Sequence, residues 1–174
     1  MKPVIAVVWI LSIVLAVGLT RLAGPDGGGS GSGSSFDEAF AEIDPIRRAY
    51  LISSSLKDLG SEQVPDLLQA LSDRRMGIVN EEVRLVMIAW TRFDAPGAFE
   101  WAQQGPKNWR PVLTDQAMYA WAYHDGPGAL RKLESLEDPA LKLRLRSAVV
   151  DGWMRSDDKE GATEFIANFP DLKR

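Results

Sequence analysis

The hydrophobic pattern divides the 174-residue chain into two parts. Residues 3–20 (PVIAVVWILSIVLAVGLT) carry no charged side chain, whereas from residue 36 onward apolar residues recur at helical spacing among polar ones. Strand-like alternation is absent from the second part, in which helix start and stop signals follow at short intervals. The pattern therefore predicts an all-α protein with one N-terminal transmembrane helix and an extramembrane helical domain.

The apolar segment has the length of a membrane span. Its eighteen residues would rise roughly 27 Å as a helix, close to the hydrocarbon thickness of a bilayer. Lys2 precedes it, so the positive-inside rule predicts a cytoplasmic N-terminus and a periplasmic C-terminal domain. We interpret residues 1–23 as a single-pass anchor in the inner (cytoplasmic) membrane. The alternative is a cleaved signal peptide with a cleavage site at residues 16–18.

Three side chains within the anchor are candidates for contact with a partner subunit. Ser12 and Ala16 form a small-xxx-small pair, which permits close approach of a second helix. Trp9 lies deeper than an interfacial aromatic belt would place it; contact with lipid is the default interpretation, and packing against protein or a cofactor is the alternative that makes it an interface candidate.

A linker follows the anchor. Residues 24–35 (GPDGGGSGSGSS) contain six glycines and four serines, a composition typical of a flexible tether; an expression scar is the alternative. The helical domain is therefore assigned to residues 36–174.

Helix signals begin directly after the linker. Ser35 and Glu38 have the spacing of a capping box and predict the start of the first helix. Asp44 and Pro45 predict an N-cap and first residue of a second helix, and Gly60 is interpreted as the left-handed residue that ends it.

A repeated motif organises the rest of the domain. In each copy a longer helix ends near a tryptophan, and four residues later an aspartate caps a shorter helix. The tryptophans are 31 and 32 residues apart, which predicts an α-solenoid of helical hairpins repeating every 31–32 residues. In the third copy Asp-Asp-Lys replaces Asp-x-Pro, so its cap can slip by one residue. The structural repeat residues are Trp90, Asp94, Trp121, Asp125, Trp153 and Asp157.

The motif Trp-x3-Asp-x-Pro-x-Ala, as at residues 90–98 and 121–129, resembles the helix-pair repeats of large bacterial envelope proteins, which are similar in style to tetratricopeptide repeats. The resemblance covers about residues 80–170. It implies a role in binding and scaffolding and brings no catalytic residues with it.

Composition narrows the chemistry further. The chain has no cysteine and one histidine, which excludes thiolate chemistry and multi-histidine metal sites, and its net charge of −4 argues against nucleic-acid binding. His124 is interpreted as a histidine at a helix C-terminus, with a general-base role as the alternative. We predict no enzyme activity, no catalytic or metal site and no cofactor.

Two surfaces are candidate partner interfaces. Trp109 and Arg110 lie in a proline-flanked loop (GPKNWRP) outside the periodic core. Near the chain end, Phe165, Ile166 and Phe169 are candidates for the unpaired edge of the repeat array, although folding back onto the helix of Trp153 is the favoured alternative.

These features favour a non-catalytic, membrane-anchored accessory subunit. Its extrinsic repeat domain would stabilise a larger membrane protein complex, for example a respiratory or photosynthetic one. The alternative is a periplasmic adaptor that binds peptides or envelope enzymes in a groove of the repeats.

Overall fold

The computed structural model describes residues 32–73 and 80–168, and the described residues contain helices and no strand. This confirms the all-α prediction. A short 3₁₀ turn, Ser61–Gln63, is the one non-α helical element in this part of the chain. The α-helices are α1 (Ser32–Ala41), α2 (Pro45–Lys57), α3 (Val64–Asp73), α4 (Asn80–Gln104), α5 (Arg110–His124), α6 (Gly126–Ser135), α7 (Pro139–Trp153) and α8 (Lys159–Asn168).

The predicted anchor lies outside the described residues, and with it Trp9, Ser12 and Ala16. Among the helices that the structure describes, none combines the length and the apolar character needed to cross a bilayer.

The first two helices differ from the sequence prediction at their ends. Helix α1 begins at Ser32, inside the segment assigned to the linker, so Ser35 is a helical residue and not its N-cap. Helix α2 begins as predicted, because the Asp44 carboxylate accepts hydrogen bonds from the amides of Ile46 and Arg47. It ends at Lys57 with Asp58 as its C-cap, so the prediction of a left-handed Gly60 at its end is wrong. Gly60 is extended (φ −93°, ψ 159°) and precedes the 3₁₀ turn, and its amide donates to Gln63 Oε1 at 2.9 Å.

Helix α4 consists of two arms joined at Asp94. The backbone of Asp94 is extended (φ −150°, ψ 79°), and Asp125 between α5 and α6 has nearly the same conformation (φ −145°, ψ 82°). We therefore treat residues 80–93 as arm α4a and residues 95–104 as arm α4b. Each long helix (α4a, α5 and α7) is thus followed by a short one (α4b, α6 and α8).

The long helices pack side by side and run in the same direction. Arg84 of α4a donates to Gln116 of α5 at 2.9 Å, and further along both helices the Ile88 carbonyl meets His124. Helix α7 follows α5 in the same way: Arg144 contacts Asp115 near the start of both helices, and the ends of both helices also meet. Parallel packing of equivalent helices is the arrangement expected when one hairpin covers the apolar face of the next.

The three motif tryptophans are buried where long and short helices meet. Trp90 and Trp121 make edge contacts with Trp101 and Phe99, at centroid distances of 5.8 and 6.4 Å. Trp153 stacks on an aromatic ring of α8 and also lies against Gly126 at the start of α6, where an added Cβ would overlap its indole. Trp121 and Trp153 therefore contact a neighbouring hairpin, whereas the contact of Trp90 with Trp101 lies within its own hairpin.

Candidate functional site

The turn between each long helix and the next short helix is built around an aspartate. Asp94 Oδ1 accepts a hydrogen bond from the amide of Gly97 at 2.8 Å, and Asp125 Oδ1 accepts one from Gly128 at 2.8 Å. Each carboxylate thereby satisfies one of the free amides in the first turn of the short helix.

The third turn uses Asp158, so the assignment of Asp157 as the cap is wrong by one residue. Asp158 Oδ1 accepts from the amide of Gly161 at 3.1 Å, and its Oδ2 accepts from Trp153 Nε1 at 2.9 Å. The shift accompanies an additional turn after α7, in which the amide of Ser156 donates to the Trp153 carbonyl at 3.0 Å. The indole N–H then fixes which of the two neighbouring carboxylates takes the cap position.

A cleft of about 470 Å³ lies between the second and third turns. We call it the turn cleft. The α5–α6 turn supplies one wall and the α7–α8 turn supplies the other. Its lining residues are Tyr123, His124, Asp125, Gly126, Pro127, Ser156, Asp157 and Asp158.

Three carboxylates make the turn cleft acidic. Asp125 and Asp158 are engaged by the helix amides, and Asp125 also has Arg131 at 3.9 Å. Asp157 is exposed and makes no hydrogen bond or ion pair with any residue that the structure describes. The cap slip therefore places one additional carboxylate at the mouth of the cleft.

His124 and Tyr123 form the aromatic side of the cleft. His124 Nε2 lies 2.8 Å from the carbonyl oxygen of Ile88, and because a carbonyl only accepts, this nitrogen carries the proton. The Tyr123 ring meets the imidazole edge-on at a centroid distance of 5.1 Å. This hydrogen bond ties α5 to α4a.

An acidic cleft with an aromatic wall suits an organic cation such as a lysine or arginine side chain. Within the described ranges, no group of three or more histidine, aspartate or glutamate side chains is placed to hold a metal ion.

The predicted loop interface is partly used by the fold. Trp109 is half-buried and packs against the core, and its amide donates to the Pro106 carbonyl at 2.9 Å. Arg110 is exposed, with its Nε donating to the Gly105 carbonyl at 3.1 Å. The loop is therefore a tight turn that presents Arg110 and one side of the indole to solvent.

At the chain end, the fold-back alternative describes Phe165. Its side chain is only 5% exposed and stacks on Trp153 at a centroid distance of 5.8 Å. Ile166 is half-buried, and Phe169 lies outside the described residues. Phe165 is therefore a core residue of the last hairpin and does not serve as a surface anchor in this structure.

An exposed apolar surface that the hydrophobic pattern did not predict lies at the start of α2, on the residue before its N-cap and on the first turns of the helix. Ile43, Ile46 and Tyr50 are 89%, 82% and 70% exposed, and we call them the apolar stripe. Ile46 and Tyr50 lie about 120° around the helix from the buried Ile52 and Leu56, at 3.6 residues per turn. The helical wheel of α2 therefore has two separate apolar faces. This pattern is visible in the sequence and could have predicted that one face is exposed.

No family model, curated protein or solved structure matches this chain. The resemblance to helix-pair repeats of envelope proteins stays a prediction that rests on the motif residues.

Proposed function

We propose that this protein is a non-catalytic, membrane-anchored accessory subunit whose α-solenoid holds a partner protein on the periplasmic side of the membrane. Residues 3–23 would span the inner membrane, and the hairpin domain would contact the extrinsic surface of a larger complex. The observation that carries the proposal is the stack of three hairpins, each with a Trp-Asp-Gly joint that is one residue longer in the third, since stacked hairpins form the extended surfaces that repeat proteins use for binding.

The buried polar groups support a scaffolding role. Glu82 is almost fully buried and pairs with Arg48 at 2.7 Å, which joins α2 to α4a. Thr91 and Thr114 are also buried, and their hydroxyls donate to carbonyls one turn earlier in their own helices. The Arg48–Glu82 pair therefore joins two helices, and Glu82 and the two threonines account for the buried polar residues of the described part.

The proposed partners are other subunits of a membrane complex, of the respiratory or photosynthetic kind, and not nucleic acid. The test is purification of the tagged full chain from native membranes in mild detergent, followed by mass spectrometry of the intact assembly. We expect a fixed stoichiometry with defined membrane subunits. Recovery of the chain mostly alone would overturn the accessory-subunit proposal.

The exposed side of the Trp109 loop is the first surface at which substitutions test the interface. Arg110→Glu reverses a charge whose one side-chain contact among the described residues is a surface hydrogen bond to the Gly105 carbonyl, so we expect weaker assembly with unchanged helicity. Lys107→Glu changes the same charge three residues earlier in the loop and shows whether the effect is specific to Arg110. Normal assembly of the Arg110 variant would remove this loop from the interface.

The turn cleft favours a second candidate function, that of an adaptor for basic peptide segments. Asp157→Lys reverses the carboxylate at the mouth of the cleft without touching the caps, whereas Asp151→Lys makes the same change on an exposed position of α7. An adaptor would bind a fluorescent lysine- and arginine-rich peptide in a salt-dependent manner and lose it in the Asp157 variant alone. Equal binding by both variants would exclude the cleft.

A further inference from the structure

The apolar stripe (Ile43, Ile46 and Tyr50) has no partner among the described helices that covers it. We infer that the stripe rests on the lipid surface of the membrane, so that the domain lies against the bilayer. This inference rests on the membrane anchor of the proposed function, because the anchor is what brings the stripe near lipid.

The side chains of the stripe suit the lipid interface. Isoleucine gains free energy on leaving water, and tyrosine has an apolar ring with a polar end, the combination found at the boundary between lipid and water. The interfacial region of a bilayer accepts individual side chains of this type without a preformed pocket.

The two carboxylates next to the stripe residues already have hydrogen-bond donors within their own turn. Glu42 Oε1 accepts from the amides of Ile43 and Asp44 at 2.8 and 3.1 Å, and its Oε2 pairs with Arg47 Nε at 3.1 Å. Asp44 Oδ1 accepts from the amides of Ile46 and Arg47, each at 2.9 Å. Both carboxylates therefore face donors of their own turn, which reduces the cost of bringing them close to lipid.

Arg47 adds a group that lipid headgroups attract. Its side chain is 72% exposed, and its guanidinium has more donors than the single contact with Glu42 uses. A guanidinium next to an apolar stripe can bind headgroup phosphate while its stem lies along the apolar surface.

The connecting chain is short enough to keep the stripe near the membrane. Eight residues separate Ala23, the end of the predicted span, from Ser32, where α1 begins. Even fully extended, this segment covers only about 30 Å, and the ten residues of α1 add about 15 Å. Because the anchor holds the domain at the same membrane, the effective concentration of the lipid surface at the stripe is high. A weak affinity for lipid is then enough to hold the stripe on the surface.

The size of the stripe also favours lipid over a protein partner. A stable protein interface buries about 800 Å² on each side, which is more than three side chains supply. A bilayer contact has no such minimum when the anchor already holds the domain.

The absence of cysteine from the chain permits a direct test. Ile46→Cys in the full chain carries an environment-sensitive fluorophore, and the protein is reconstituted into phosphatidylcholine vesicles that contain nitroxide-labelled lipids. Ser147→Cys with the same fluorophore, on an exposed position of α7, is the matched control. We expect a blue-shifted emission and lipid quenching at position 46, and neither change at position 147.

The outcomes separate this inference from the proposed anchor. If the protein floats with the vesicles but position 46 stays unquenched in an aqueous environment, the lipid contact is wrong and the anchor stands. If the protein fails to float, the anchor is wrong and the inference falls with it. Energy transfer between labels on two chains, without lipid quenching, would assign the stripe to a second copy and overturn the lipid contact.

Discussion

At the scale of single residues, Tyr119 connects the three long helices. The guanidinium groups of Arg84 and Arg155 lie over its ring, at 4.9 and 6.0 Å from the ring centroid. Its backbone carbonyl lies against Gly152 of α7, where an added Cβ would overlap the carbonyl oxygen. The close approach of α5 and α7 therefore depends on a position without a side chain.

The variant Gly152→Ala tests the close contact between α5 and α7, because helix propensity and packing predict opposite changes in the free energy of unfolding. Glycine within a helix costs roughly 0.5–1 kcal/mol relative to alanine, so propensity alone would stabilise the variant. Because the new methyl group would overlap backbone of α5, we expect the opposite, a loss of about 1–3 kcal/mol in the free energy of unfolding. Urea denaturation measures it, with Ser147→Ala on the same helix as the control. A stabilised Gly152 variant would contradict the close contact.

Asp115 makes the stability of the folded protein depend on pH. Burial raises the pKa of Asp115 above its ordinary value of 3.8, and the Arg144 guanidinium, 2.6 Å from the carboxylate, opposes this only in part. The folded protein therefore holds this proton more tightly than the unfolded chain. The resulting contribution to stability is complete below pH 3.8 and is lost as the pH rises through the raised pKa.

Asp115→Asn removes this titration. We expect the stability of the variant relative to wild type to increase as the pH rises through the window just above 3.8. Urea midpoints at several pH values on both sides of the window test this, and Asp151→Asn controls for the change in net charge. If the stability of the variant relative to wild type fell as the pH rose, the ion pair with Arg144, and not burial, would dominate the pKa of Asp115.

At the scale of helices, the turns between long and short helices define the architecture. The sequence marks the first two turns unambiguously, since Asp94 and Asp125 each stand four residues after a tryptophan and two before a proline. It offers two adjacent aspartates for the third. The choice between them is made by Trp153, whose indole N–H donates to Asp158, and local sequence does not reveal the direction of that group.

The third turn therefore yields a matched pair of variants. Asp158→Ala removes a cap and the partner of the Trp153 indole, and we expect it to lower the free energy of unfolding by about 0.5–2 kcal/mol. Asp157→Ala removes an exposed carboxylate one residue earlier and should change stability by no more than about 0.5 kcal/mol. Thermal or urea unfolding of both variants suffices, and equal losses would refute the assignment of the cap.

At the scale of the whole domain, each hairpin depends on its neighbour for burial. The last hairpin has a neighbour on one side only among the described residues, and it closes its own core by stacking Phe165 on Trp153. This explains why an aromatic residue that the sequence places near the chain end is buried.

Phe165→Ala tests whether hairpins unfold separately. We expect a loss of about 3–5 kcal/mol in the stability of the last hairpin, because a large buried ring leaves a cavity. Hydrogen exchange should then accelerate in α7 and α8 before α4 and α5, as nearest-neighbour coupling predicts. Glu164→Ala, at an exposed position of α8, is the control. Uniform acceleration over all helices would show that the domain unfolds as one unit.

The sequence alone determined the helical class, the positions of most helix starts and the hairpin period, because caps, prolines and apolar spacing act within a few residues of each other. Tertiary structure decided which aspartate caps α8, that Phe165 is buried, and that Ile46 and Tyr50 are exposed. Asp158 and Phe165 each contact Trp153 of α7, whereas Ile46 and Tyr50 lack a covering helix among those described. A side chain's burial depends on what packs against it, and the pattern of its own helix records only that it is apolar.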